Sequence, residues 1–478
     1  MKIKEHSVRE YTVERKTRIN GSEISYKSVS QDWIFTDEAG NEEVSAFTYS
    51  YIRTDAADIK RPVLFAFNGG PGASCSQLHL GILGPTRIDF PEPREQQPGE
   101  TPALIANDAS PLDVCDIVMI DPPGTGYARI MDAGAAEKYF SVEGDAHAVA
   151  LLIEAWLLRY ERFGSPIYIM GESYGSIRAP EVVGNLMGGP TYGSLRDIAI
   201  PVAGTITIGN IGWDVSSVFS PDPELPEESV MGLPAYAAAH WYHHLSADGT
   251  LDRDFVEEAY RFSANEYLPA LYMGEALEAA ERARVAERLS CFTGIDRDSL
   301  LARNLRVTAK DFEALCCAKE GRAVGIYDSR YTMPLSRYTG LLDPVADDAA
   351  MGMYMPAFTT VMNGAKREEL GIPAGMRYDQ INFEVNGRFK YDVSRSPLQC
   401  LAQAMRRDPD FRVFVGSGYY DLCTLFTYIR AVINRGKLDA GRVTVKNYEA
   451  GHLLYMGKEN ALAFGRDIRA FICAGKKS

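Results

Sequence analysis

The sequence predicts an α/β fold with a mostly parallel central sheet, helices on both faces and a helical lid insertion. Strand-like apolar runs lie near residues 62–67, 114–121, 166–170 and 202–208, and helical stretches such as 141–162 separate them. Strands that alternate with helices form parallel βαβ units. With 46% hydrophobic and 24% charged residues, the 478-residue chain has the composition of an ordinary globular protein.

The first predicted element is an antiparallel hairpin at the edge of this sheet. Polar and apolar residues alternate at 25–29 and 44–51, and the two runs flank a turn at 37–41. Further along, the composition changes after Asp214. A Pro-rich acidic link at 221–228 leads into Ala- and Glu-rich helical sequence from 235 to about 318. We therefore predict a helical lid at 215–350, inserted into a catalytic domain made of 1–214 and 351–478.

A Gly-Glu-Ser-Tyr-Gly pentapeptide with Ser173 at its centre lies between the apolar run 166–170 and a segment that can start a helix. Strand, sharp turn and helix are the context of a nucleophile elbow, in which flanking glycines let the serine adopt a strained backbone. The pattern alone is also compatible with an ordinary Gly/Ser turn. The context favours Ser173 as a nucleophile whose hydroxyl stands at the carboxyl edge of the sheet.

Two further candidates follow strand-like runs near the end of the chain. Asp421 comes after the run 411–415, and His452 comes after the run 442–448 and a glycine. Ser173, Asp421 and His452 thus occur in the chain order of an α/β-hydrolase triad. His452 could also be a loop histidine without a role. Asp421 could also cap the helix that follows it, and that role is compatible with catalysis.

An oxyanion hole is expected where the run 62–67 ends in Asn-Gly-Gly-Pro-Gly. Glycines let backbone N–H groups approach a substrate oxygen, so the amides of Gly70 and Tyr174 are the predicted pair. The alternative is a plain Gly/Pro loop.

Taken together, these motifs resemble the signature blocks of the serine carboxypeptidase family, in the same order. The blocks span roughly residues 60–455 and comprise Asn68-Gly69-Gly70-Pro71-Gly72, the stretch 121–127, the elbow, Ile208-Gly209-Asn210 with Asp214, the Asp421 loop and Gly451-His452. The resemblance implies an α/β-hydrolase fold, acyl-enzyme chemistry and removal of carboxyl-terminal residues from peptides. It also implies that Asn68, the backbone of Gly69 and Glu172 hold the substrate's terminal carboxylate.

The sequence departs from the family's pattern at Ile82. The family usually has a second glutamate there, which shares a proton with the counterpart of Glu172 and helps to bind the substrate carboxylate. Two adjacent carboxyl groups cannot both ionise cheaply. Without the partner, three hypotheses stay open: a shifted pH optimum, a substitute donor or positive charge from His79, or a relaxed preference for a free carboxyl terminus.

Cysteines and histidines give no recognisable metal spacing. The eight cysteines are too sparse for a disulfide scaffold, and we interpret them mainly as buried thiols. Cys423 lies either near the active site or in a packed helix. His240, His243 and His244 fall on one helix face, but we favour a solvated face or a pocket lining over a metal site. We predict no metal and no cofactor.

A net charge of −14 argues against nucleic-acid or acidic-membrane partners, and no stretch reaches the apolar length of a membrane span. The amino terminus lacks a signal-like apolar run, which with the cysteine usage favours a bacterial-type cytoplasmic protein. The expected partners are peptide substrates, and the oligomeric state is left undefined. The sequence therefore predicts a serine carboxypeptidase without a cofactor. An esterase or acyltransferase with the same triad is the runner-up, and a non-catalytic binding protein on the same scaffold is a third alternative.

Overall fold

The computed structural model describes residues 1–475 except 5–8, 57, 59, 94–102, 189–198, 214–225, 341–342, 344, 346, 392–395 and 436–437. Asp214 and most of the acidic link at 221–228 lie outside the described residues. Among the described residues, no helix combines the length and the apolar character needed to cross a membrane.

A ten-stranded mixed sheet forms the centre of the protein. Its strands, in chain order, are β1 (Lys2–Ile3), β2 (Glu10–Ile19), β3 (Ser22–Thr36), β4 (Glu42–Arg53), β5 (Val63–Phe67), β8 (Asp116–Asp121), β9 (Ile167–Glu172), β10 (Gly204–Ile208), β13 (Arg412–Gly418) and β14 (Val443–Tyr448). Two small antiparallel pairs lie outside it: β6 (Thr86–Ile88) with β7 (Leu104–Ala106), and β11 (Arg322–Val324) with β12 (Thr332–Pro334).

The spatial order of the sheet is β1-β3-β4-β8-β5-β9-β10-β13-β14, with β2 paired to β3. Along this order, the strands β8, β5, β9, β10, β13 and β14 run parallel to one another. Strands β1, β2, β3 and β4 pair antiparallel, and β4 is also antiparallel to β8. The predicted hairpin is present as β3 and β4, and its strands extend further than the alternating runs. Strand β2 was not predicted. Its surface is largely exposed and carries charges, so it lacks the apolar alternation that marks a strand.

Helices cover both faces of the sheet. In chain order they are α1 (Ser76–Leu78), α2 (Val142–Arg159), α3 (Gly175–Leu186), α4 (Glu227–His240), α5 (Arg253–Phe262), α6 (Leu268–Met273), α7 (Ala279–Thr293), α8 (Arg297–Ala302), α9 (Ala309–Leu315), α10 (Met351–Asn363), α11 (Ala365–Glu369), α12 (Phe383–Arg388), α13 (Pro397–Arg407), α14 (Phe426–Asn434) and α15 (Lys458–Cys473). Along β5, Leu64 and Ala66 face one hydrophobic core, whereas Phe65 and Phe67 face the other. Burial on both sides explains why this strand reads as a continuous apolar run.

Helices α4 to α9 pack around a third hydrophobic core, to which Tyr420 and Leu422 also contribute. Three of these helices begin at a side-chain cap; at the start of α5, Asp252 accepts from the amides of Asp254 and Phe255. The boundaries of the lid, 215–350, stay a prediction. Parallel strands bring their carboxyl ends to one edge, so β5, β9, β13 and β14 all end at the site described next.

Candidate active site

Ser173 occupies a sharp turn between β9 and α3. Its backbone has φ of +59°, which is unusual for a residue with a side chain. The turn is tight: a Cβ atom at Gly171 would lie 1.9 Å from the carbonyl oxygen of Gly175. The Ser173 N–H donates to the carbonyl of Ile208 at 3.0 Å, which anchors the turn to β10. This geometry is that of a nucleophile elbow.

Asp421 and His452 form a buried pair. Nδ1 of His452 lies 2.8 Å from Oδ2 of Asp421, and both side chains are almost fully buried. The other oxygen of Asp421 accepts from the amides of Cys423 and Thr424, at 2.9 and 2.8 Å, and the Thr424 hydroxyl donates to Oδ2. Asp421 thus holds the following turn and contacts the histidine at the same time. The predicted helix cap is wrong, because α14 begins only at Phe426, with Leu425 at its N-cap and no side-chain cap.

The charge of Asp421 sets the ionisation of His452. Burial on its own lowers the pKa of the imidazole, but the Asp421 carboxylate, with smaller contributions from the charges of Glu172 and Asp348, more than offsets this effect. The pKa of His452 therefore lies above its ordinary value.

The backbone at the end of β10 contacts both the elbow and His452. Gly209 directly follows the residue whose carbonyl binds the Ser173 amide, and a Cβ atom at Gly209 would lie 2.9 Å from Cε1 of His452. Only a glycine leaves room for the imidazole at this position. Among the described residues, the Ser173 hydroxyl donates no hydrogen bond to His452, and such contacts commonly tighten only when substrate binds.

Residues 326–330, here called the clamp segment, hold both loops of the pair. The amide of His452 donates to the carbonyl of Tyr327 at 2.6 Å, and the two rings meet edge to face at 5.3 Å. The amide of Leu422 donates to the carbonyl of Ile326, and the amide of Ser329 donates to the carbonyl of Tyr420, each at 2.9 Å. The clamp segment lies in the stretch predicted as lid, and no local pattern in it predicts contacts with the loops of Asp421 and His452.

An ion pair fixes the clamp segment itself. Nη2 of Arg330 lies 2.6 Å from Oδ2 of Asp328, and both side chains are buried. Nη1 of Arg330 also donates to the carbonyl of Glu449 at 2.8 Å. The arginine therefore ties the clamp segment to the loop that carries His452.

The predicted oxyanion amides lie in adjoining backbone segments. A Cβ atom at Gly69 would lie 2.4 Å from the amide nitrogen of Tyr174, so the glycine loop is in close contact with the elbow. Gly70 is exposed and has φ of +96°. Among the described residues, neither the Gly70 nor the Tyr174 amide donates a hydrogen bond. Both are thus available to a substrate oxygen.

Glu172 and Asn68 offer hydrogen-bond donors beside the elbow. Glu172 is buried and accepts a hydrogen bond of 2.9 Å from the hydroxyl of Tyr455. Burial raises the pKa of the Glu172 carboxyl to about 7. The side chain of Asn68 is 1% exposed, and its Nδ2 has no hydrogen-bond partner among the described residues. A neutral carboxyl group and an unused amide are suited to a carboxylate ligand.

His79 does not take the place of the missing glutamate. Its ring is buried against Tyr49 and Tyr51 of β4, and its Nε2 lies 2.7 Å from the Tyr51 hydroxyl. Burial lowers the pKa of His79 well below its ordinary value, so the ring carries no charge at neutral pH. The neighbour of Glu172 is instead Tyr455, whose ring packs on Gly81.

A second buried ion pair, formed by Arg178 and Asp145, contacts both the elbow and the glycine loop. Nε of Arg178 lies 2.6 Å from Oδ2 of Asp145, which also accepts from the Tyr174 hydroxyl at 3.1 Å. Nη1 of Arg178 donates to the carbonyl of Asn68 at 2.5 Å. Sequence reasoning missed these residues because their partners are far away along the chain. Tyr455 is the exception, because it lies three residues after His452, a residue that the sequence already marks as a candidate.

Two further sequence-based predictions concern Cys423 and the histidines at positions 240, 243 and 244. Part of Cys423 is exposed, and its amide donates to Asp421. Its thiol, however, is surrounded by protein atoms, and this desolvation together with the Asp421 charge raises the pKa of the thiol. In the predicted lid, the rings of His240 and His244 lie 5.0 Å apart, but the other contacts diverge: Nε2 of His243 lies 2.7 Å from the carbonyl of Ser329, whereas Nε2 of His244 lies 3.0 Å from that of Cys316.

Comparisons with known proteins give a partial family match. A model described as serine carboxypeptidase matches residues 28–210, a segment that includes Ser173 and ends before Asp421 and His452. Serine carboxypeptidase-like 8 of Arabidopsis thaliana is 28% identical over 149 residues, which are 30% of this chain and 32% of that protein. Serine carboxypeptidase-like 13 of the same plant is 27% identical over 157 residues, 30% of this chain and 33% of that protein. The chain thus spans about a third of the length of the curated relatives it matches.

The fold is shared over nearly the whole chain with a solved structure. The prohormone-processing carboxypeptidase Kex1Δp of Saccharomyces cerevisiae aligns over 94% of this chain and 92% of that one. The TM-score is 0.56 and the identity 13%. The α/β-hydrolase fold predicted from the sequence is confirmed by this likeness and by the mostly parallel sheet flanked by helices.

Proposed function

We propose that this chain is a member of the serine carboxypeptidase family and hydrolyses the carboxyl-terminal peptide bond of peptides. The observation that carries the proposal is the pair of donors next to the nucleophile. Glu172 has a pKa of about 7, and Asn68 presents an unused Nδ2. A triad serves any acyl transfer, but a buried acid that is mostly neutral below a pH of about 7 suits a substrate with a free carboxylate.

In the proposed mechanism, Ser173 attacks the scissile carbonyl while Nε2 of His452 takes its proton. Asp421 holds Nδ1 and stabilises the imidazolium. The amides of Gly70 and Tyr174 bind the oxyanion. His452 then gives the proton to the departing amino acid, and water hydrolyses the acyl-enzyme through the same base.

Substrate binding would use the other side of the elbow. Asn68, the backbone of Gly69 and Glu172 would receive the terminal carboxylate, with Glu172 donating a hydrogen bond in its neutral form. Above a pH of about 7 the ionised Glu172 would repel this group. An esterase or acyltransferase is the second candidate, since Tyr455 rather than a second carboxyl group is hydrogen-bonded to Glu172.

The test is hydrolysis of an amino-blocked dipeptide, its carboxyl-amidated twin and a matching ester, from about pH 4 to about pH 9. We expect the free carboxylate to be preferred. Ser173→Ala is expected to lower kcat by at least about 10⁴-fold, with substrate binding retained. Rapid cleavage of the ester with both peptides untouched would overturn the carboxypeptidase proposal and favour the second candidate.

We also propose a cytoplasmic, bacterial-type protein that acts on peptides and binds neither nucleic acid nor membranes. The cysteine usage supports the location, since all eight cysteines are free thiols and reducing compartments keep thiols reduced. The relatives matched above are plant proteins and lend no support to a bacterial origin. Titration of the unfolded chain without reductant is expected to give eight thiols. Disulfide-bonded pairs would contradict the location.

A further inference from the structure

His244, Cys316 and Cys317 come together in the lid region and are here called the His–Cys cluster. His244 lies in a single π-helical turn, Trp241–Leu245, directly after α4, and the two cysteines directly follow α9. One potential ligand atom of each residue lies within 4.8 Å of the others, and Sγ of Cys317 is 3.7 Å from Nε2 of His244. The thiols are buried, and the histidine lies at the surface, where an ion could enter.

The distance between the Cys317 and His244 donor atoms is that of a tetrahedral metal site, and the Cys316 thiol lies within 4.8 Å of both. With Zn–S bonds of about 2.3 Å and Zn–N bonds of about 2.0 Å, tetrahedral donors stand roughly 3.6 Å apart for S and N and roughly 3.8 Å apart for two S atoms. The distance of 3.7 Å between Cys317 Sγ and His244 Nε2 agrees with this value. Thiolate and imidazole are the ligands preferred by Zn(II) and other soft or borderline ions.

The surroundings of His244 fit a ligand role. Oε1 of Glu320 lies 3.8 Å from Nδ1, the nitrogen that would not bind the ion. At 3.8 Å the two groups are not hydrogen-bonded; a carboxylate that closed to hydrogen-bond distance of that nitrogen would fix the ring and its tautomer, as in known zinc sites. Nε2 now faces the carbonyl of Cys316 at 3.0 Å, and the ion would replace this contact. His243 is not available, because its Nε2 is held by Ser329.

We propose that His244, Cys316 and Cys317 bind one Zn(II) ion, with water as the fourth ligand and Glu320 orienting the histidine. The ion would link the end of α4 to the end of α9, two helices that share the third hydrophobic core. The proposal is independent of the hydrolase activity, since it concerns a separate set of side chains.

The test uses the full chain, reduced and freed of metal, titrated with Co(II) and then Zn(II). We expect one Co(II) per chain, a thiolate-to-metal charge-transfer band, and loss of that band when Zn(II) displaces it. His244→Ala and Cys317→Ser should abolish the band. Glu320→Gln should weaken Zn(II) binding by about 10-fold to 100-fold while the band is retained.

Matched controls are Cys291→Ser and Cys473→Ser, which remove exposed thiols outside the His–Cys cluster and should leave the titration unchanged. Circular dichroism of the metal-free variants checks that each is folded, and Glu320→Gln tests the site without removing a ligand. Absence of the band in the wild-type chain would overturn the proposal. Persistence of the band in Cys317→Ser, or its loss in Cys291→Ser, would do the same.

Discussion

The hydroxyl of Tyr455 donates a hydrogen bond of 2.9 Å to the carboxyl group of Glu172, one residue before the serine of the elbow. Both side chains are buried. The hydrogen bond stabilises the ionised form of Glu172, although burial prevails and the pKa rises to about 7. The phenol of Tyr455 therefore limits how far the pKa of Glu172 rises, and so influences the charge of the proposed carboxylate site.

Tyr455→Phe removes this hydrogen bond and leaves the ring. The pKa of Glu172 should then rise further, by about one unit if the hydrogen bond is worth about 1.5 kcal/mol. Activity on the free-carboxylate dipeptide, which is expected to fall as pH rises through about 7 in the wild type, should fall at a correspondingly higher pH. The measurement is kcat/KM against pH, with the amidated twin as the control. A fall at unchanged pH would contradict the assigned role of Tyr455.

Gly81→Ala perturbs the same tyrosine from the other side. A Cβ atom at Gly81 would lie 2.1 Å from the Tyr455 ring, which must move to make room. We expect a loss of about 1–3 kcal/mol in the free energy of unfolding, measured in urea. Gly387→Ala is the control, because nothing lies within 4 Å of its Cβ position in α12. That variant should be neutral or stabilised by up to about 1 kcal/mol. Equal effects of both substitutions would rule out the steric explanation.

Asp421→Asn should change both the rate and its pH dependence. The carboxylate raises the pKa of His452 against the opposing effect of burial, so its loss should lower that pKa. The acid limb of the kcat/KM profile, on which the base becomes protonated, should move to lower pH. The maximum should fall by about 10⁴-fold. Asp439→Asn alters an exposed carboxylate and is the control. An acid limb that stays in place would show that Asp421 does not act on His452.

Arg330→Met leaves Asp328 buried without its partner. Breaking a buried ion pair on one side costs about 3–5 kcal/mol, which urea unfolding would measure. Arg253→Met is a matched control: Arg253 is exposed and binds the side chain of Glu449, whereas Arg330 binds its backbone carbonyl. The control should cost less than about 1 kcal/mol. If the two losses were similar, the buried pair would not be what holds the clamp segment.

The sequence predicted the parts of the protein that have a local signature. Buried parallel strands are continuous apolar runs, and Ser173 and Asp421 each follow one of them, whereas His452 follows the more exposed strand β14. Contacts between distant segments left no such trace: Arg330 and the carbonyl it binds at Glu449 are 119 residues apart. His79, one of the hypotheses for a substitute beside Glu172, also depends on contacts that leave no local trace. It begins a π-helical turn, His79–Leu83, and its ring lies against β4 rather than at Glu172.

The clamp segment places contacts that hold the loops of Asp421 and His452 inside the predicted insertion. Exchange of the predicted insertion for that of another hydrolase would also exchange the carbonyls of Ile326 and Tyr327 that fix the loops of Asp421 and His452. A chimaera would therefore carry a new insertion together with a displaced His452. A graft that ends before Gly325 and resumes after Tyr331 keeps these contacts, and directed evolution of specificity in this scaffold should respect that limit.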